Sequence, residues 1–404
     1  MVKLLIVGSS KLPVPATKGG AVPNLIEEII KENECEEQLD LYCCSVYDEE
    51  AMVLSRRYNK TKFLWVRIPN MVEKMDKCFT FILKSILRLQ YLQSLGFLFR
   101  IGWYTFFVAR ILKNEEYDKV VFENSVPVLW AIKIFGNKRK YKNKYYIHMH
   151  SVPNRYFGNE NVFSNCKKLI SISEYVEYQI CKTPKVKLDA KQKAIMYNCL
   201  DTTLFYPSAC GNRTREQYGI GQEDKVIIFA GRLCPEKGIE EVLKALININ
   251  DKKYKLVIVG ANFYKCDIVS PYEKYLHELA TEVSEQVIFT GYVDYPKMRE
   301  VYCMGDVIVL PSMWEEPAGM TILEAMACGK VVITTNSGGI PEYVGKDNCV
   351  MLERNDKIVE TIAYYIVYYS ENRVEARMLG ELATKHASLY NQSYYYEQLL
   401  EIIK

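Results

Sequence analysis

Glu316 and Glu324 stand with seven residues between them inside the run P-S-M-W-E-E-P-A-G-M-T-I-L-E-A-M-A-C-G at residues 311–329. An apolar stretch precedes this run, and its second half has the pattern of a helix opening at Gly319. Glu316 then falls in the loop before that helix and Glu324 about one turn inside it. Between them, the amides of Ala318, Gly319, Met320 and Thr321 form a helix start, whose N–H groups and dipole favour an anion. Such an arrangement offers carboxylate acceptors for sugar hydroxyls on either side of a bound diphosphate. The whole run is far more specific than a bare pair of glutamates.

A second set lies in Gly231-Arg232-Leu233-Cys234-Pro235-Glu236-Lys237-Gly238, directly after the apolar stretch Val226–Ala230. Arg232 and Lys237 can converge from one strand-to-helix loop. A guanidinium meets phosphate oxygens through two parallel hydrogen bonds, and an ammonium adds a compact charge. Cations held there stabilise the charge that grows on a departing diphosphate more than they stabilise its ground state. Loops at the carboxyl ends of strands are where α/β sheets bind ligands.

His148 and His150, two of only four histidines, end another apolar stretch and point to one face of it. An H-x-H pair can ligate zinc, but no Cys or His stands near at ligand spacing, so no metal is expected. No two aspartates are separated by one residue, which leaves no D-x-D to hold a divalent ion on a diphosphate. Neither G-x-S-x-G nor a P-loop is present.

These residues need strands to carry them. Short apolar strands are predicted at Lys3–Gly8, Leu39–Cys44, Phe63–Ile68, Lys119–Glu123, Tyr145–His150 and Lys168–Ser171, with helices between them, the first over Val22–Lys31. The pattern restarts with Val226–Ala230, a helix over Lys237–Ile247, and strands at Lys255–Gly260, Gln286–Thr290, Asp306–Leu310 and Val331–Thr334. Alternating β and α elements imply parallel, doubly wound sheets, and 404 residues suit two such domains. Residues 1–200 carry 31 Lys and Arg against 20 Asp and Glu, a net +11, and residues 201–404 carry 21 against 29, a net −8. The basic half either faces something anionic or reflects drift of surface charge.

Hydrophobic content of 49% and charged content of 25% exclude a disordered chain. The opening residues do not read as a signal peptide, and thirteen cysteines without a C-x-x-C suit free thiols in a reducing compartment. A cytoplasmic location is expected. Residues 79–113 are apolar and aromatic, with Lys84, Arg88, Arg100, Arg110 and Lys113 and no acidic residue. Their uncharged runs are too short to span a bilayer. The segment suits either a helix at an anionic membrane surface, on the inner face of the plasma membrane, or a helix pair packed against the sheet.

The three motifs G-R-L-C-P-E-K-G, E-P-A-G-M-T-I-L-E-A-M-A-C-G and Asn336-Ser337-Gly338-Gly339-Ile340-Pro341-Glu342 together resemble family 4 of the retaining glycosyltransferases. The N-terminal half adds Gly19-Gly20 before a helix, similar to that family's glycine-rich loop. Tyr197-Asn198-Cys199-Leu200-Asp201 is similar to its N-G-x-D, with cysteine in place of glycine. The resemblance is dense after residue 200 and thin from about 50 to 140. It implies the GT-B fold, two Rossmann-like domains facing across a cleft. Residues 1–200 would bind the acceptor and 201–385 the nucleotide sugar, with 386–404 a helix returning to the N-terminal domain.

By the same resemblance, Arg232 and Lys237 bind the diphosphate, Glu324 the ribose and Glu316 the transferred sugar. His150, favoured over His148, also contacts that sugar. Gly19, Gly20, Gly260, Val293, Ala318, Gly319, Met320 and Thr321 complete the donor site. Ala318 stands where the family often has an aromatic residue, which changes the sugar pocket. The implied reaction is metal-independent transfer of a hexose from a UDP- or GDP-sugar to a glycan or lipid-linked oligosaccharide, in cell-surface polysaccharide synthesis. It needs no cofactor and no nucleic acid partner. A sugar-nucleotide epimerase of the same fold and a non-catalytic sugar-nucleotide-binding protein are the alternatives.

Overall fold

The computed structural model describes residues 1–82, 97–260 and 270–404. The chain divides into two compact units, Met1–Tyr197 with Gln392–Lys404, and Asn198–Asn391. In the first, seven parallel strands run β1 (Val2–Val7), β2 (Leu39–Val46), β3 (Thr61–Val66), β4 (Lys119–Glu123), β5 (Tyr145–Met149), β6 (Lys168–Ser171) and β7 (Lys193–Ile195). Their order across the sheet is β3-β2-β1-β4-β5-β6-β7, so the winding reverses between β1 and β4. Continuous apolar runs form these strands because helices cover both faces. Leu4, Leu5 and Ile6 of β1 are fully buried.

The second unit repeats the plan with β8 (Lys225–Ala230), β9 (Tyr254–Val259), β10 (Val287–Gly291), β11 (Val307–Leu310), β12 (Val331–Thr335) and β13 (Val350–Leu352). All pairings are parallel, and the order β10-β9-β8-β11-β12-β13 places the reversal between β8 and β11. The architecture is α/β with two Rossmann-like, doubly wound units, the fold class expected from the sequence. Two strands escaped that reading: β7 and β13 are three residues long, too short to show a period. The helix expected from Lys237 starts at Ile239 instead. Pro235–Lys237 forms a 3₁₀ turn, and Gly238 at φ +71° ends it before the α-helix begins.

The last helix, Gln392–Ile403, belongs to the first unit and packs on the helix Ala21–Glu36. Tyr396 Oη donates to Asn33 Oδ1 at 2.6 Å and Ser393 Oγ to Glu32 at 2.9 Å. Within residues 79–113, Lys84 and Arg88 lie outside the described residues. The helix Leu98–Asn114 buries Tyr104, Val108, Ala109 and Leu112 and exposes Leu98 and Phe106. Asp76 accepts the amides of Phe99 and Arg100 at this helix start, and Arg100 Nε donates to the Ser10 carbonyl at 2.8 Å. No described helix is long and apolar enough to cross a membrane.

Candidate active site

The reversal between β8 and β11 puts two loops side by side at the carboxyl edge of the second sheet, the place where open α/β sheets take ligands. The loop after β8 contains Arg232 and Lys237, and the loop after β11 contains Glu316. They are pressed together at Gly238, where a Cβ would lie 2.0 Å from the Pro311 carbonyl oxygen. Met313 N donates to the Glu236 carbonyl at 2.9 Å and adds a backbone stitch.

Lys237 Nζ lies 2.6 Å from Glu316 Oε2 as a result. The same oxygen accepts Trp314 Nε1 at 2.9 Å and Ser312 Oγ at 3.2 Å. Three donors on one oxygen fix the carboxylate and leave Oε1 as an acceptor. The Glu316 main chain is held from a third side: Gly339 N donates to its carbonyl at 2.7 Å, and a Cβ on Gly338 (φ +57°) would meet that oxygen at 2.1 Å. This is why Ser337-Gly338-Gly339 follows β12. Arg232 is exposed, with no side-chain hydrogen bond or ion pair among the described residues. Its charge acts at Glu236, whose carboxyl is held low by a backbone amide, by Cys234, and then by Arg232 and Lys237.

Gly319 caps the helix Met320–Ala327, and no side chain fills the cap, so the start expected to face an anion is not closed off by the protein's own acceptors. Ala318 is buried, and Met320 and Thr321 are half-buried in the first turn. Glu324 points inward and is 5% exposed, and Tyr302 Oη donates to its Oε2 at 2.8 Å. Burial raises its carboxyl to about 7, against the pull of hydrogen bonds from Tyr302 and Tyr295. Gly260 and Val293 follow β9 and β10. Gly260 (φ +134°) has no room for a side chain, since a Cβ would lie 1.9 Å from the Gly231 carbonyl oxygen, and its amide donates to Gly291 at 2.9 Å.

The first unit carries the other expected residues. Gly19 (φ +69°) and Gly20 (φ +106°) lead into the helix Ala21–Glu36, and a Cβ on Gly20 would strike Leu12. His148 and His150 end β5 and share one carboxylate, Glu123 of β4. His150 Nε2 is 2.9 Å from Glu123 Oε2, and His148 Nδ1 is 3.2 Å from Oε1. Burial would raise Glu123, but the charge and hydrogen bond of His148, then those of His150, draw it down to about 2. These three are the one described group whose ligand atoms, all within 4.8 Å of one another, could hold a metal ion.

Three sets of contributors were not read from the sequence. Ser312 and Trp314 sit in the quoted motif, yet nothing local marks them as donors to Glu316. Tyr302 is 22 residues from Glu324, and Glu123 is 27 from His150, joined only by strand register and helix packing.

Residues 212–386 match the family described as glycosyl transferases, group 1. The putative glycosyltransferase YtcC of Bacillus subtilis is 25% identical over 351 residues, covering 85% of this chain and 77% of that protein. The lipopolysaccharide 1,2-N-acetylglucosaminetransferase of Salmonella typhimurium is 28% identical over 236 residues, 57% of this chain and 58% of that one. Among solved structures, Anabaena HepE in complex with UDP and glucose superposes with a TM-score of 0.71 at 20% identity, covering 99% of both chains.

Proposed function

Because residues 212–386 belong to the group 1 glycosyl transferases, we propose that the protein moves a hexose from a UDP- or GDP-sugar to a glycan or lipid-linked acceptor, retaining the anomeric configuration and using no metal. One observation carries this reading: Lys237, Ser312 and Trp314 converge on one oxygen of Glu316 beside an uncapped helix start. A cation, a fixed acceptor and free helix dipole are thereby gathered at the switch point of the sheet.

In this reading the diphosphate sits at the start of the helix Met320–Ala327, with Arg232 and Lys237 on its oxygens. Glu316 Oε1 accepts a hydroxyl of the transferred sugar, Glu324 takes the ribose, and Gly260 and Val293 line the base. Gly19, Gly20 and His150, which lie in the first unit, are assigned to the donor by the family resemblance alone. The bond between C1 and the phosphate oxygen breaks with its electron pair going to the diphosphate. The acceptor hydroxyl oxygen bonds to C1 on the same face, and its proton passes to the departing phosphate. Cations fixed in advance stabilise that charge without reorganising. A cytoplasmic protein working at an anionic membrane fits the exposed Phe106 and Phe135, which lie beneath Arg110 and Lys113.

Thermal unfolding across UDP-, GDP- and ADP-sugars, with and without EDTA, tests the reading. A ligand at 100 times its Kd stabilises by about 2.7 kcal/mol. One sugar nucleotide should raise Tm equally with EDTA, and Arg232→Ala/Lys237→Ala should abolish the rise. A rise that needs divalent metal would refute the metal-free part, and no rise with any nucleotide the whole.

A further inference from the structure

We infer that Glu123 is a positioning residue, which fixes the ring orientation and tautomer of His150 by making one carboxylate the shared acceptor of two imidazoles. Parallel register pairs Glu123 of β4 with His148 of β5, and His150 lies two residues further on the same face. All three are buried, at 2%, 0% and 9% exposure. An ionised carboxylate only accepts hydrogen bonds, so each ring must turn an N–H toward it. His148 donates through Nδ1 and His150 through Nε2, so in their neutral forms the rings, with centroids 4.1 Å apart, are held in opposite tautomers. The end of the strand is pinned as well, since His150 N donates to Asn124 Oδ1 at 3.0 Å.

In its neutral form His150 therefore carries its lone pair on Nδ1, where it accepts a hydrogen bond rather than donating one. Any effect of the tautomer on turnover rests on the proposal that His150 meets the transferred sugar; the tautomer itself does not. The same three side chains fit a metal ion less well. A metal-bound imidazole normally passes its second N–H to an acceptor, and His148 Nε2 has no partner among the described residues.

With only four histidines in the chain, side-chain ¹H–¹⁵N correlation spectra read each tautomer directly. The wild type should show His148 protonated on Nδ1 and His150 on Nε2. Glu123→Gln keeps one acceptor oxygen beside an NH₂ donor, so the two N–H groups must share that oxygen or one ring must turn a lone pair toward the NH₂ and change tautomer. With UDP-glucose as the probe donor, kcat of Glu123→Gln should fall about tenfold or more while KM changes less, the direction in which a wrong imidazole tautomer acts. The same tautomer on both rings of the wild type overturns the inference, as does stoichiometric Zn²⁺ uptake by the wild type that the variant loses. The wild-type spectrum decides even if the variant fails to fold. Failure of turnover with the tautomers as expected would instead count against the proposed reaction.

Discussion

Lys237 Nζ and Glu316 Oε2, 2.6 Å apart, are the pair that ties the loop after β8 to the loop after β11. With side chains 24% and 17% exposed, the pair is neither fully screened nor fully desolvated. A double-mutant cycle of Lys237→Ala and Glu316→Ala should give a coupling of about 1 kcal/mol in unfolding free energy. If Lys237 moves to a diphosphate, saturating UDP should shrink that coupling. A coupling unchanged by UDP would mean the lysine serves only to brace the loops.

Glu324 carries the opposite kind of electrostatics. Its folded-state carboxyl sits near 7 rather than 4.5 because it is buried. A raised folded value favours the protonated form, so this group's stability is fully present below pH 4.5 and is lost as pH rises through 7. The loss is up to about 3 kcal/mol at 1.36 kcal/mol per unit. Glu324→Gln keeps an acceptor for Tyr302 without the titration. Its stability relative to wild type should therefore grow between pH 5 and pH 8 in urea melts, while its response to UDP-sugars weakens. A gap that stays constant across that range would remove the assigned burial effect.

Much of this was legible because strands buried on both faces leave uninterrupted apolar runs. Lys119–Glu123 and Lys168–Ser171 are strands β4 and β6 with the bounds read from the sequence. Gly238 and Gly338 also announce themselves, since each sits where a neighbouring carbonyl leaves no room for Cβ. Glu123 was not legible as part of a histidine cluster. Its link to His150 depends on β4 lying beside β5, a long-range pairing that no local spacing encodes. Tyr302 was hidden for the same reason: an apolar helix position gave no hint that its hydroxyl reaches Glu324. Ser173, by contrast, accepts Val176 N at 3.2 Å at the start of the helix Glu174–Cys181, a contact three residues apart that belongs to local chemistry.

The exposed aromatic face invites a binding test. Arg110 lies over Phe106 and Lys113 over Phe135, with both rings partly in solvent. Each cation near an anionic surface contributes about 1 kcal/mol, so Arg110→Ala/Lys113→Ala should weaken partitioning to phosphatidylserine vesicles roughly thirtyfold. Neutral vesicles should bind both proteins poorly. Equal flotation of wild type and variant would leave this face as ordinary packing surface.

Gly238 offers a cleaner test of how the site is built. Its φ of +71° strains any other residue, and a Cβ there would also collide with the Pro311 carbonyl, a backbone atom that cannot swing aside. Gly219 shares the backbone strain at φ +68° but has nothing within 4 Å of its Cβ position. Gly219→Ala should cost only the left-handed conformation, about 1 kcal/mol. Gly238→Ala should cost that and the separation of the two loops, at least about 2 kcal/mol. Because those loops position Lys237 against Glu316, Gly238→Ala should also lose its thermal response to nucleotide sugars, whereas Gly219→Ala keeps it. Equal penalties in chemical denaturation would show that the contact with Pro311 is relieved by a small shift and that the loops are not held by it.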